Sequence, residues 1–367
     1  MMRKYSPLVF LCITCLWVTS LCGYSQATVP PDRHKRTVVD MSGRTVEIPW
    51  VVNRIVITCY GGAGHEIAVL GGADKIVAHP SKWRFPQLQK MYPLFDTLSD
   101  AGSFDIVDIE RIMVLKPDIV VASVYSVRGN KKIESAGFPV VAVSTGRADI
   151  DRLLQEFKMM GKILDKEKAA DELVQYWNDR LAMIRKRTDA IPEAKRKKVF
   201  YASSGISLTT TTESESGWGH HFITAGGGIN VSKNLQIEGG AVSPEQLLIW
   251  DPHVIVTRGD RDHRDHRDPV RAIRSTPRFT GIKAVKENAV YCCPVGAFWW
   301  DRPSPEAILG IMWLAKTLYP KAMSDIDIKK ETKWFFERFY NYSLTDKEYE
   351  SFGVEINPKG AGRESNR

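Results

Sequence analysis

The chain has 367 residues, of which 43% are apolar and 26% charged, with 19 Pro and 27 Gly. This excludes a disordered or collagen-like chain, and the length suits two domains better than one core. Lys and Arg exceed Asp and Glu by 8, which suits an anionic partner or surface. It does not point to nucleic acid, because no basic stretch is interleaved with the aromatics that base stacking needs.

Residues 1–27 read as a signal peptide. Arg3 and Lys4 precede an apolar run from Leu8 to Leu21, and Ser25-Gln26-Ala27 supplies a small-residue cleavage site. The run is short for a membrane span, and no later stretch reaches the roughly 20 apolar residues that spanning requires. Cys22 raises a lipid anchor, but Leu21 is larger than the residue that usually precedes a lipidated cysteine. The expected location is the periplasm or the extracytoplasmic membrane surface, without an anchor. Cleavage leaves Cys59, Cys292 and Cys293, which read as small buried side chains and make no disulfide framework.

Residues 37–147 read as a first lobe. Thr37 to Pro49 alternates around Ser42-Gly43, a hairpin signal. Arg54 to Thr58 is a short buried strand, followed by Gly61-Gly62-Ala63-Gly64, a helical run from His65 to Leu70, and a strand at Lys75 to Ala78. Asp108 to Asp118 gives a helix that a proline ends, and Ile119 to Ala122 and Pro139 to Val143 are further strands. Strands alternating with helices argue for a parallel sheet covered on both faces.

Residues 148–191 read as a helical connection. Ile150, Leu153, Leu154, Phe157 and Met160 form one stripe, and Leu173, Trp177, Leu181 and Ile184 another, both at helical spacing. Asp165 is the expected N-cap of the second helix, which would bridge two lobes over about 34 Å. Residues 192–342 then repeat the grammar of the first lobe. Lys198 to Ala202 is a strand, His221 to Gly228 a short helix ending in glycine, and Ser243 to Pro252 with His253 to Val256 matches Asp108 to Ala122. By that register Glu110 and Glu245 occupy the same place in the two copies. Residues 343–367 read as a polar tail.

Arg54 to Thr58, Asp108 to Ala122, Pro139 to Val143, Ser243 to Val256 and Phe298 to Tyr319 together resemble the exported substrate-binding proteins of iron–siderophore, cobalamin and haem importers. The paired units Glu110 to Asp118 and Pro244 to Pro252 are its best markers. The resemblance implies an α/β fold of two Rossmann-like lobes with central parallel sheets, joined by a long α-helix, with ligand held in the cleft between lobes. It implies a solute-binding component of an ABC importer that delivers ligand to an inner-membrane permease dimer and its ATPase. The implied ligand is a metal chelate of the iron–siderophore type; some relatives take molybdate- or tungstate-type oxyanions instead. Neither needs an intrinsic cofactor. The family's acidic docking residues fall on Glu110 and Glu245, whose alternative role is to stabilise a helix opening through its dipole.

Ligand-binding candidates follow from position. His65, on the first helical turn after the glycines, is read as a ligand contact or a capping histidine. The glycine turn itself would offer N–H groups to a negative charge. His220 and His221 follow Gly217-Trp218-Gly219 in the second lobe; neighbouring helical residues diverge, so one of the two faces the cleft. Trp83, Arg84, Tyr125 and Arg128 follow strand ends of the first lobe, where open α/β sheets bind ligands, and the arginines could clamp oxygens or lie on the surface. Some siderophore-binding relatives have a tyrosine near Phe298; Trp299 and Trp300 stand here instead, as walls against a bulky chelate or as core. The run from Arg258 to Asp268, with His263 and His266, reads as a solvated loop of alternating charge. No Ser/His/Asp order, acid pair or zinc spacing argues for an enzyme. The rival from another class is an exported metal-dependent enzyme or metal chaperone using His220 and His221.

Overall fold

A computed structural model describes residues 35–80, 85–144, 146, 148–202, 215–235, 242–258 and 269–354. The signal peptide with Cys22, Trp83, Arg84, and the loop bearing His263 and His266 lie outside the described residues. Strands β1 (Lys35–Val39) and β2 (Thr45–Pro49) form the expected antiparallel hairpin, with Gly43 at φ +78° in its turn. Then come β3 (Ile55–Ile57), α1 (Ala63–Val69), β4 (Ile76–Ala78), α2 (Pro86–Met91), the short pair β5 (Gly102–Ser103) and β6 (Ile106–Val107), α3 (Ile109–Leu115), β7 (Ile119–Ser123), α4 (Val127–Ser135) and β8 (Val140–Val143). Helices α5 (Ile150–Leu164) and α6 (Glu167–Thr188) connect to the second half. That half contains β9 (Lys198–Ala202), α7 (Trp218–Ala225), β10 (Ile229–Asn230), α8 (Pro244–Trp250), β11 (Val254–Thr257), α9 (Pro269–Ser275), α10 (Lys283–Lys286), β12 (Val290–Cys292), α11 (Ala307–Leu318), α12 (Ile328–Tyr340) and α13 (Asp346–Ser351).

The two central sheets have one topology. Strand order is β4-β3-β7-β8 in the first and β10-β9-β11-β12 in the second, parallel throughout. Apolar residues fill β7 and β11 because both faces of each sheet are covered. The helices that precede these strands agree residue for residue. Asp108 and Ser243 cap α3 and α8 by accepting the N–H of Arg111 and Gln246, and Lys116 and Asp251 end them in the left-handed region at φ 45° and 42°. Asp118 then donates its N–H to the Arg54 carbonyl as His253 does to Lys198.

Helix α6 has 22 residues, so it runs about 33 Å. Trp177 anchors it: the side chain is fully buried, packs edge-on to Phe157 of α5 at 5.9 Å, and donates its indole N–H to the Pro305 carbonyl at 3.1 Å. Asp165 differs from its expected role as N-cap of α6. It closes α5 instead, at φ 54°, and its carboxylate pairs with Arg36 of the hairpin. The capping side chain faces back because the left-handed turn at Asp165 reverses the chain before α6 begins.

The expected polar tail is also corrected in part. Residues from 343 carry α13, whose Thr345 and Glu348 form a reciprocal capping box, and Leu344, Tyr349 and Phe352 are buried. The Phe352 carbonyl accepts the N–H of Val295, Lys90 pairs with Glu348, and Tyr92 donates to the Tyr340 carbonyl. The C-terminal helices therefore brace elements of both halves. Residues 355–367 lie outside the described part.

Buried carboxyl groups tie this framework together. Glu306 accepts from the Ala297 N–H at 3.1 Å, the Trp300 indole at 3.0 Å and the Tyr340 hydroxyl at 3.0 Å. Burial nevertheless pushes its pKa up to about 8. Glu66 on α1 and Glu156 on α5 hydrogen-bond each other inside the first lobe, and burial raises both above the ordinary carboxylate range. Gly310 is needed beside this network, since a Cβ there would lie 2.3 Å from the Trp300 carbonyl oxygen.

Two stability measurements test this account. Trp177→Ala is expected to cost about 3–5 kcal/mol in denaturant unfolding, and a loss under 1 kcal/mol would remove α6 as a structural anchor. For Glu306, the native state holds a proton that the unfolded chain releases between the ordinary pKa and about 8. Its contribution is full at low pH and is lost as pH rises, by up to about 1.4 kcal/mol per unit. Glu306→Gln should therefore flatten the fall of melting temperature between pH 5 and pH 8, and parallel profiles for the two proteins would contradict a protonated Glu306.

Candidate functional site

The carboxyl ends of both sheets carry the polar and aromatic residues that the cores do not use. Past β3 lie Thr58, whose buried hydroxyl accepts and donates no hydrogen bond, and Tyr60, whose ring meets Phe104 at 5.5 Å. Past β11 comes Arg258, half-buried, with its Nε buried and unbonded. Its guanidinium carbon lies 4.5 Å from the centroid of the Trp299 ring.

Trp299 joins the two halves of the molecule. Its ring meets Phe85 of the first half edge-on at 4.9 Å and Phe298 at 5.3 Å. Phe85 and Phe298 lie 4.8 Å apart, and both rings pack on His65. His65 is fully buried on α1 and its Nε2 lies 2.8 Å from the Ala297 carbonyl oxygen. A carbonyl can only accept, so Nε2 carries the proton and Nδ1 holds a lone pair with no partner. Burial, with a smaller effect of His79, lowers the His65 pKa to about 3, so the ring is neutral.

The remaining expected residues are distributed as follows. Trp300 differs from its expected place on the cleft wall: it is fully buried, with its indole on Glu306 and its backbone against Gly310. Such a large ring beside α11 fills the core under the loop. Tyr125 is exposed, with its N–H on the Ser123 hydroxyl past β7. Arg128 on α4 is 83% exposed and lies 3.5 Å from Asp105. The Gly129 N–H, then Arg128, holds the Asp105 carboxylate below its ordinary pKa. The opening turn of α1 carries the chain's own buried Glu66, whose carboxyl group burial pushes well above the ordinary carboxylate range.

His220 and His221 diverge on α7, with rings edge to face at 5.7 Å. His220 is half-buried, its Nδ1 has no partner, and burial followed by the neighbouring His221 lowers its pKa. His221 faces a groove of about 730 Å³ bounded by Asp149, Arg185, Asp189, Arg196 and Thr224. Among the described residues no three His, Cys, Asp or Glu side chains converge as metal ligands. Glu110 and Glu245 are both exposed at the second position of α3 and α8.

The structure thus brings His65 and Trp299 into one seam and adds Phe85 and Arg258, which the sequence reading did not single out. Arg258 had a usable signal. It is the first residue past a strand, but it also opens the alternating-charge run and was absorbed into that loop.

Known proteins share this fold. The molybdate-binding protein MolA of Haemophilus influenzae is 28% identical over 333 residues, covering 84% of this chain and 92% of that one. A vitamin B12-binding protein of Vibrio cholerae is 23% identical over 247 residues, covering 66% and 81%. Among solved structures, a periplasmic solute binding protein from Veillonella parvula superimposes with a TM-score of 0.74 at 28% identity, covering 87% of this chain and 96% of that one. Molybdate-bound MolA gives 0.73 at 26% identity, covering 84% and 99%. The model of the periplasmic binding protein family matches residues 57–295. With two duplicated parallel-sheet lobes, a connecting helix and a family match over most of its length, the chain belongs to the periplasmic binding proteins.

Proposed function

We propose that this protein is the solute-binding component of an ABC importer, without catalysis of its own, and that its ligand is a small tetrahedral oxyanion of the molybdate type. The observation that carries the ligand class is the use of the aromatic residues. A flat or bulky chelate needs free aromatic walls, but Trp300 is spent on the core and Trp299 is held between Phe85 and the Arg258 guanidinium. Besides the exposed rings of Tyr60 and Tyr125, the strand ends offer groups that suit an anion: a cationic Arg258 with an unused Nε, and the hydroxyl of Thr58. Similarity to molybdate-binding MolA over most of both chains supports the same class. The iron-chelate reading, first suggested by the resemblance, has as its support only more distant relatives.

Calorimetry and thermal shift separate the two. Molybdate at about 100 times its dissociation constant should add roughly 2.7 kcal/mol of stability, and a ferric siderophore should add none. Arg258→Ala should weaken molybdate binding by about tenfold or more, the scale of a lost charge-assisted hydrogen bond. Binding of the ferric chelate without molybdate would overturn the oxyanion reading.

The second part of the proposal concerns the membrane partner. Glu110 and Glu245 stand as equivalent exposed carboxylates, one per lobe, and we assign them to docking on a two-fold symmetric permease. Glu110→Ala combined with Glu245→Ala should leave molybdate affinity intact and abolish uptake in cells. Normal transport by the double variant would refute the docking role.

A further inference from the structure

Helices α3 and α8 expose the same strip of side chains. In each, two large apolar residues follow the carboxylate by three and four positions, which places all three on one helix face. The strips are Glu110, Met113 and Val114 in the first lobe, and Glu245, Leu248 and Ile249 in the second. Every member is related by the same offset of 135 residues. Met113 and Val114 are 56% and 71% exposed, and Leu248 and Ile249 are 43% and 75% exposed. Each helix meets its core through Ile112 or Leu247, which are fully buried and again equivalent.

Single apolar residues in water are ordinary on a protein surface. A matched pair in the same register on both copies is different, because side chains this exposed add little to the folding of either lobe, Leu248 alone also lying close to Gly281. We infer that the two strips are equivalent docking ridges for the importer's membrane permease, with the apolar pairs supplying most of the affinity and the carboxylates the register. The inference rests on the docking role assigned above to Glu110 and Glu245. The occupant follows from the duplication: two equivalent strips require a partner with two equivalent pockets, as a two-fold symmetric permease has. Pairing of two copies of this chain about a two-fold axis would need only one strip on each.

The test measures binding of the full-length protein to its purified permease–ATPase complex in lipid nanodiscs by biolayer interferometry. Met113→Ser with Val114→Ser, and Leu248→Ser with Ile249→Ser, should each weaken binding by about tenfold, and all four together should abolish it. Val114→Thr, which is isosteric, with Ile249→Thr, which removes one carbon, should weaken it less but in the same direction, at an unchanged melting temperature. Wild-type binding should persist at high salt, whereas Glu110→Ala with Glu245→Ala should slow association and remove the salt dependence. If the four-residue variant binds within about twofold of wild type while the glutamate variant fails, the ridges are idle and only the carboxylates dock. If the glutamate variant binds normally and the ridge variants fail, the ridges stand and the carboxylate role falls. A wild-type dimer in light scattering that becomes monomeric in the ridge variants would assign the strips to self-association and overturn the inference.

Discussion

A single hydrogen bond across the two lobes organises the site. His65 on α1 donates to the carbonyl of Ala297 as a neutral ring, because it is fully buried against Phe85 and Phe298. Desolvation of an imidazolium in such surroundings would cost more than the bond returns, and the lowered pKa expresses that balance. Once the bond is made, the segment carrying Phe298 and Trp299 has one position relative to α1. Trp299 then presents its face to Arg258, the residue that follows β11. Glu306 holds the same segment from behind, through the Ala297 N–H and the Trp300 indole. The carbonyl and the N–H of one residue, Ala297, thus bond to opposite sides of the structure.

The duplication was legible because it is written in backbone punctuation as well as in hydrophobic pattern. A proline two residues past each helix, and a short buried strand after it, recur at Pro117 and Pro252. The caps that make the two units superimpose are ordinary residues, Lys116 and Asp251, in a left-handed conformation that neither side chain advertises. Glycine would have signalled these turns; lysine and aspartate do not. The same difficulty explains Asp165, which has the side chain of a helix opener but closes a helix.

Residues whose roles depend on distant partners were the least legible. Trp299 and Trp300 are neighbours in sequence with equal apolar character, and only the loop conformation sends one to the seam and the other to the core. The C-terminal region looked loose because its composition is polar, yet Leu344, Tyr349 and Phe352 are enough to dock it once the capping box forms α13. Arg258 was hidden by its neighbours' charges. Its position past a strand is what marks it as a candidate, because open α/β sheets bind ligands beyond their strand ends.

The titration behaviour of the seam has a consequence for how the two lobes are held together. An imidazole that stays neutral down to about pH 3 and a carboxyl group that stays protonated up to about pH 8 flank the same short segment. Well inside those limits neither of these two groups gains or loses a proton. The two polar anchors of the segment around Ala297 are thereby insulated from moderate swings in acidity.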